Sequence, residues 1–74
     1  MKVRDSKEWE HLTKGKKSFS FLDGSPDLAK DTVEIYAQQI HDLLIDKGFT
    51  YMHCFMILHI VQNTLRQERD IKRL

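Results

Sequence analysis

Between Tyr51 and Leu65 the chain places apolar side chains on nearly every side of a helix, and this limits what the remaining residues can do. At about 100° per residue, Tyr51, Cys54, Phe55, Leu58, Val61 and Leu65 gather on one face. Met52, Met56 and Ile60 gather nearly opposite, and Ile57 bridges the two sets. One neighbouring helix shelters one face, not two. A helix apolar almost all round belongs in the middle of something, so this segment needs cover on two sides.

The first cover is a helix immediately upstream. Asp23-Gly24 makes a turn, Ser25 suits an N-cap, Pro26 the first helical position and Asp27 the positive end of the dipole. Ala29, Val33, Tyr36, Ala37, Ile40, Leu43 and Leu44 then fall within about 120° of one another, the stripe of an amphipathic helix. Asp31, Glu34, Gln38, His41 and Asp42 lie opposite, and Lys47-Gly48 supplies a cation in the last turn followed by a left-handed cap. The spacing predicts helices over 26–47 and 51–70. Thr50 is the N-cap of the second, and Phe49-Thr50 is too short a link for anything but an antiparallel αα-hairpin.

The second cover has two sources. The arm over residues 1–24 carries Trp9, Leu12, Phe19, Phe21 and Leu22. Asp5-Ser6-Lys7-Glu8 resembles a capping pattern for a short helix ending at Gly15, and Ser18-Phe19-Ser20-Phe21 alternates as an extended piece does. Alternatively, residues 8–13 and 17–22 pair as a hairpin around Lys14-Gly15, although Leu12 is out of phase with Trp9. The other source is a second copy of the chain, two hairpins making a four-helix bundle. The expected fold class is therefore mainly all-α. A single domain holds an arm (1–24) packed on a helical hairpin (25–74), and the hairpin dimerises.

Size argues the same way. A 74-residue chain hides only about 60–65% of the surface its unfolded form exposes, so it gains from an external stabiliser. Cys54 is the single cysteine, which excludes an internal disulfide framework and suits a reducing compartment. The charged start, Met1-Lys2-Val3-Arg4-Asp5, lacks the apolar run of a signal peptide, and Tyr51–Val61 is shorter than the roughly 20 residues of a membrane span. A cytoplasmic location is expected. A net charge of +1 requires neither a nucleic acid nor a membrane.

Chemistry-bearing residues are present without the arrangements that chemistry needs. Adjacent helical positions point about 100° apart, so His53 cannot serve Cys54 as a base. His59, five residues on, sits about 140° round from it. Cys54 reads as a buried structural thiol. His41, His53 and His59 have no metal spacing, and no cofactor or small-molecule substrate is called for. Lys14-Gly15-Lys16-Lys17-Ser18 superficially resembles a phosphate-binding loop, but the glycine required five positions before the Gly-Lys pair is Glu10. As a DNA reader the second helix would present Met52, Phe55 and Met56 where polar base-readers belong.

The expected function is non-enzymatic: a small interaction or regulatory protein, of the size class of bacterial or phage regulators, that acts through an apolar helical face. Met52, Met56, Ile57 and Ile60, with Trp9, Phe19 and Phe21, are the residues expected at a dimer or partner interface. The alternative is a nucleic-acid accessory protein using Lys14, Lys16 and Lys17 in the arm and Arg66, Arg69 and Arg73 in the tail. The tail arginines have a structural use as well, since an antiparallel hairpin brings them towards Asp27, Asp31 and Glu34.

Overall fold

A computed structural model describes residues 1–72, and side chains as far as Ile71. The described part is mostly helical. In chain order come a 3-10 turn (Val3–Asp5), α1 (Lys7–Thr13), β1 (Ser18–Phe19), β2 (Leu28–Ala29), α2 (Lys30–Asp46) and α3 (Tyr51–Lys72). The chain divides into two units, Met1–Leu43 and Leu44 onward.

In the first unit, Ser6 starts α1. Its Oγ accepts the Trp9 N–H at 3.2 Å and donates to the Val3 carbonyl at 2.8 Å, so one hydroxyl joins the 3-10 turn to the helix it caps. Thr13 closes the helix by donating its Oγ1 to the Trp9 carbonyl at 2.7 Å, and Gly15 turns the chain at φ +70°. Of the arrangements expected for the arm, a short helix followed by an extended piece is the one present. The extended piece does not pair with residues 8–13. β1 pairs antiparallel with β2, Ser18 opposite Ala29 and Phe19 opposite Leu28.

That ribbon moves the start of the next helix. Pairing holds Leu28 and Ala29 extended, and the Lys30 N–H donates to the Lys17 carbonyl at 3.0 Å, so α2 begins at Lys30 rather than Pro26. Ser25 caps no helix. Its N–H donates to Asp23 Oδ1 at 3.0 Å within the loop over residues 20–27. The turn chemistry read around Asp23–Asp27 is real, but it belongs to the loop joining the two strands. Two polar ties hold the first residues to α2: the Val3 N–H donates to Gln38 Oε1 at 2.7 Å, and Arg4 Nε lies 3.1 Å from Glu34 Oε2.

The second unit consists of the last turn of α2, a connection and α3. The Gly48 N–H donates to the Ile45 carbonyl at 3.0 Å with φ +72°, the left-handed exit that favours glycine. Thr50 and His53 then cap α3 reciprocally. The His53 N–H donates to Thr50 Oγ1 at 3.2 Å, and the Thr50 N–H donates to His53 Nδ1 at 3.2 Å. This is the geometry of a capping box, with an imidazole in place of the usual carboxylate. Phe49 packs edge-on against His53, with ring centroids 6.1 Å apart. One turn further on, Cys54 and Leu44 are buried, and they form the apolar core among the described residues.

If the reciprocal cap sets the start of α3, Thr50→Ala should lower unfolding free energy by about 1 kcal/mol, and Thr50→Ser should restore most of it. Urea titration followed by circular dichroism reads both. An unchanged midpoint for Thr50→Ala would show that the cap contributes nothing.

Candidate functional site

The site is the surface of α3. No Lys, Arg, Asp or Glu occurs between Lys47 and Arg66, so nothing along the first two-thirds of the helix is obliged to face water. Much of it does. On the face holding Leu58, exposure runs from 42% at Leu58 to 75% at Tyr51, with Phe55, Val61 and Leu65 in between. On the opposite face it runs from 56% at Ile60 to 73% at Met52. Ile57, between them, is half-buried. Phe55, Leu58, His59, Val61, Gln62 and Leu65 line a shallow apolar trough along the helix.

The arrangement has a local cause. Within its unit α3 has only the last turn of α2 to pack against, and Leu44 on that turn and Cys54 on α3 are the buried apolar residues there. Farther along, the polar side chains fold back on the helix itself. Asn63 Nδ2 donates to the His59 carbonyl at 2.8 Å, and Thr64 Oγ1 donates to the Ile60 carbonyl at 2.8 Å. These bonds satisfy the polar groups without reaching outward to another element.

The aromatic residues expected at an interface lie in the first unit. Trp9 and Phe19 are half-buried against each other, edge-on, with ring centroids 6.0 Å apart. Phe21 is exposed beside Ser25, Pro26 and Leu28. The structure thus brings Met52, Met56 and Ile60 together on one helix and places Trp9 and Phe19 in a different cluster.

The cations behind the nucleic-acid alternative are spread over both units. Lys14, Lys16 and Lys17 are exposed around Gly15, with Lys14 beside a hollow that also holds Asp5 and Glu10. Arg66 is exposed, and Arg69 lies 3.3 Å from Asp70. Arg73 falls outside the described residues. Glu34, expected near the tail arginines, pairs with Arg4.

One polar cluster escaped the sequence reading. Gln38 Nε2 donates to Asp42 Oδ1 at 2.9 Å, and His41 Nδ1 lies 3.0 Å from the same oxygen. Hydrogen bonding from His41, then from Gln38, holds the Asp42 carboxyl below its ordinary value. Gln38 also receives the Val3 N–H, so the cluster continues the tie at the start of the chain. The Gln-x-x-x-Asp spacing on one helix was available as a signal; the Val3 contact, thirty-five positions away, had none.

Cys54 is a free, buried thiol. Among the described residues, no three His, Cys, Asp or Glu side chains converge as metal ligands would, and no helix is long and apolar enough to cross a membrane. Compared with known proteins, the chain matches no family model, no curated protein and no solved structure.

Because folding lowers the Asp42 carboxyl, any stability it lends is present above the ordinary carboxylate range and is lost as pH falls through the lowered value. A carbon-detected NMR titration should find Asp42 titrating below a free aspartate. His41→Ala should move it back towards the ordinary value. Equal midpoints in wild type and variant would remove His41 as the cause.

Proposed function

We propose that this chain is a non-enzymatic interaction module that self-associates and presents an apolar helical face to another protein. In this reading α2 and α3 form an antiparallel hairpin through Lys47–Thr50. Two hairpins make a four-helix bundle whose core takes the Leu58 side of α3, leaving Met52, Met56 and Ile60 for a different partner. A reducing, cytoplasmic setting suits the lone thiol at Cys54.

The observation that carries this reading is the exposure of both faces of an uncharged helix. Contiguous apolar patches on small proteins mark interaction surfaces. Burying a large apolar side chain fully stabilises by roughly 1.5–3 kcal/mol, so a half-dozen such residues, each a little over half exposed, offer on the order of 7 kcal/mol per chain. Association costs roughly 4–15 kcal/mol for a complex, and two chains together meet that cost. Methionine suits the outer face, because its unbranched, polarisable side chain adapts to a partner's shape.

The nucleic-acid reading has less behind it. Backbone recognition draws on roughly six to ten phosphate contacts, whereas here Lys14 shares its hollow with Asp5 and Glu10 and Arg69 is already paired.

The test pairs capture from a cell lysate with wild type against Met56→Asp, with circular dichroism confirming equal helix content. Wild type should retain a partner through a rise from low to moderate salt, and Met56→Asp should reduce recovery at least tenfold. Recovery that collapses with salt, or equal recovery by both proteins, would refute the apolar face as the contact.

A further inference from the structure

We infer, building on that reading, that the trough beside Leu58 is filled by α3 of a second copy running antiparallel. Tyr51, Leu58 and Leu65 recur every seven residues, and Cys54 and Val61 follow the first two by three. This is the a/d pattern of a coiled-coil seam held over two heptads. It ends at the next d position, which is Glu68. The trough lined by Phe55, Leu58, Val61 and Leu65 follows this seam. Along the seam only Cys54, at the first d position, is buried, and Tyr51, Leu58, Val61 and Leu65 stay open.

Area and charge choose the occupant. The exposed parts of Tyr51, Phe55, Leu58, Val61 and Leu65 amount to about 100 Å² each. A symmetric pair therefore has up to about 1,000 Å² to bury from these residues alone, which reaches the threshold for a specific interface. A second copy also brings the one property the seam demands, a matching stretch with no charge from residue 48 to residue 65. All the charges of α3 lie beyond that stretch. A parallel pair would set Arg66 and Arg69 beside their own copies. An antiparallel pair sets Glu68 and Asp70 by the positive end of the other helix and separates Arg66 and Arg69 from their own copies, with the two macrodipoles opposed. In this orientation a positions meet d positions, so Leu58 rests on Val61 of the other copy and the twofold axis passes between residues 59 and 60. The Met52–Met56–Ile60 face points outward and stays available.

The test uses single-cysteine variants in a Cys54→Ala background, checked for wild-type helix content. Mixed and oxidised, Leu58→Cys and Val61→Cys should form disulfide-linked heterodimers. Leu65→Cys alone should not link to itself, because its two copies stand about 16 Å apart along the seam, beyond disulfide reach. Sedimentation of otherwise native protein should show a dimer whose dissociation constant rises at least 100-fold with Leu58→Asp and changes less than threefold with Met56→Asp. Leu58→Ala, which favours the helix, should weaken the dimer by a smaller factor and guard against a simple folding defect. Self-linking of Leu65→Cys would establish a parallel pair and overturn the proposal, as would a dimer in which the mixed pair fails to link. A monomer at high micromolar concentration would overturn it too. Loss of lysate capture with Met56→Asp would, in that event, keep the contact with another protein while self-association falls, so the two failures are distinguishable.

Discussion

The structure depends on a shortage of cover around one helix. α3 opens with fifteen consecutive positions without a formal charge, and the residues folded against it in its own unit are few. Leu44 and Cys54 are buried beside the turn, and from there outward the helix relies on its backbone ladder and its cap. Isolated helices are marginal in water, and most helical stability in proteins comes from packing an apolar face. The apolar surface left over is what the proposed associations use.

The first unit is held in a different way. Its ties are polar and aromatic: Ser6 joining turn to helix, Trp9 against Phe19, Val3 on Gln38, Arg4 beside Glu34, and a two-residue ribbon tying Lys17 to Lys30. None is strong alone. A surface ion pair contributes about 0–1 kcal/mol and a typical hydrogen bond about 0.5–1.5 kcal/mol. Their value lies in register, since they fix where the arm lies along the first turns of α2.

Much of this was legible from residues alone, and the gaps have definite causes. α3 was read from Tyr51 onward because Gly48 and Thr50 punctuate the chain where an apolar run begins, and both serve there as cap residues. Ser6 and Gly15 bracket the short α1, one of the arrangements that the residues of the arm leave open. The start of α2 was placed four residues early because Ser-Pro-Asp is a good helix opening in isolation; pairing between Phe19 and Leu28, nine positions apart, overrode it. Local propensity carries no record of such a pairing. His53 was weighed as a partner for Cys54, yet it accepts the Thr50 N–H, a role that the usual Ser/Thr-x-x-Glu pattern does not advertise for histidine. The apolar rows of α3 were correctly located. How little of one row its own unit covers follows from packing distances, which no periodicity contains.

The two buried apolar residues, Leu44 and Cys54, are only ten positions apart, so ordering the stretch between them requires no long excursion of the chain. Events of that kind run on the timescale of helix and small-loop formation, about a microsecond or less. Order in this part of the molecule therefore spreads from the turn towards the far end of α3. The distal turns, where no apolar side chain among the described residues is buried, have the least to hold them and open first.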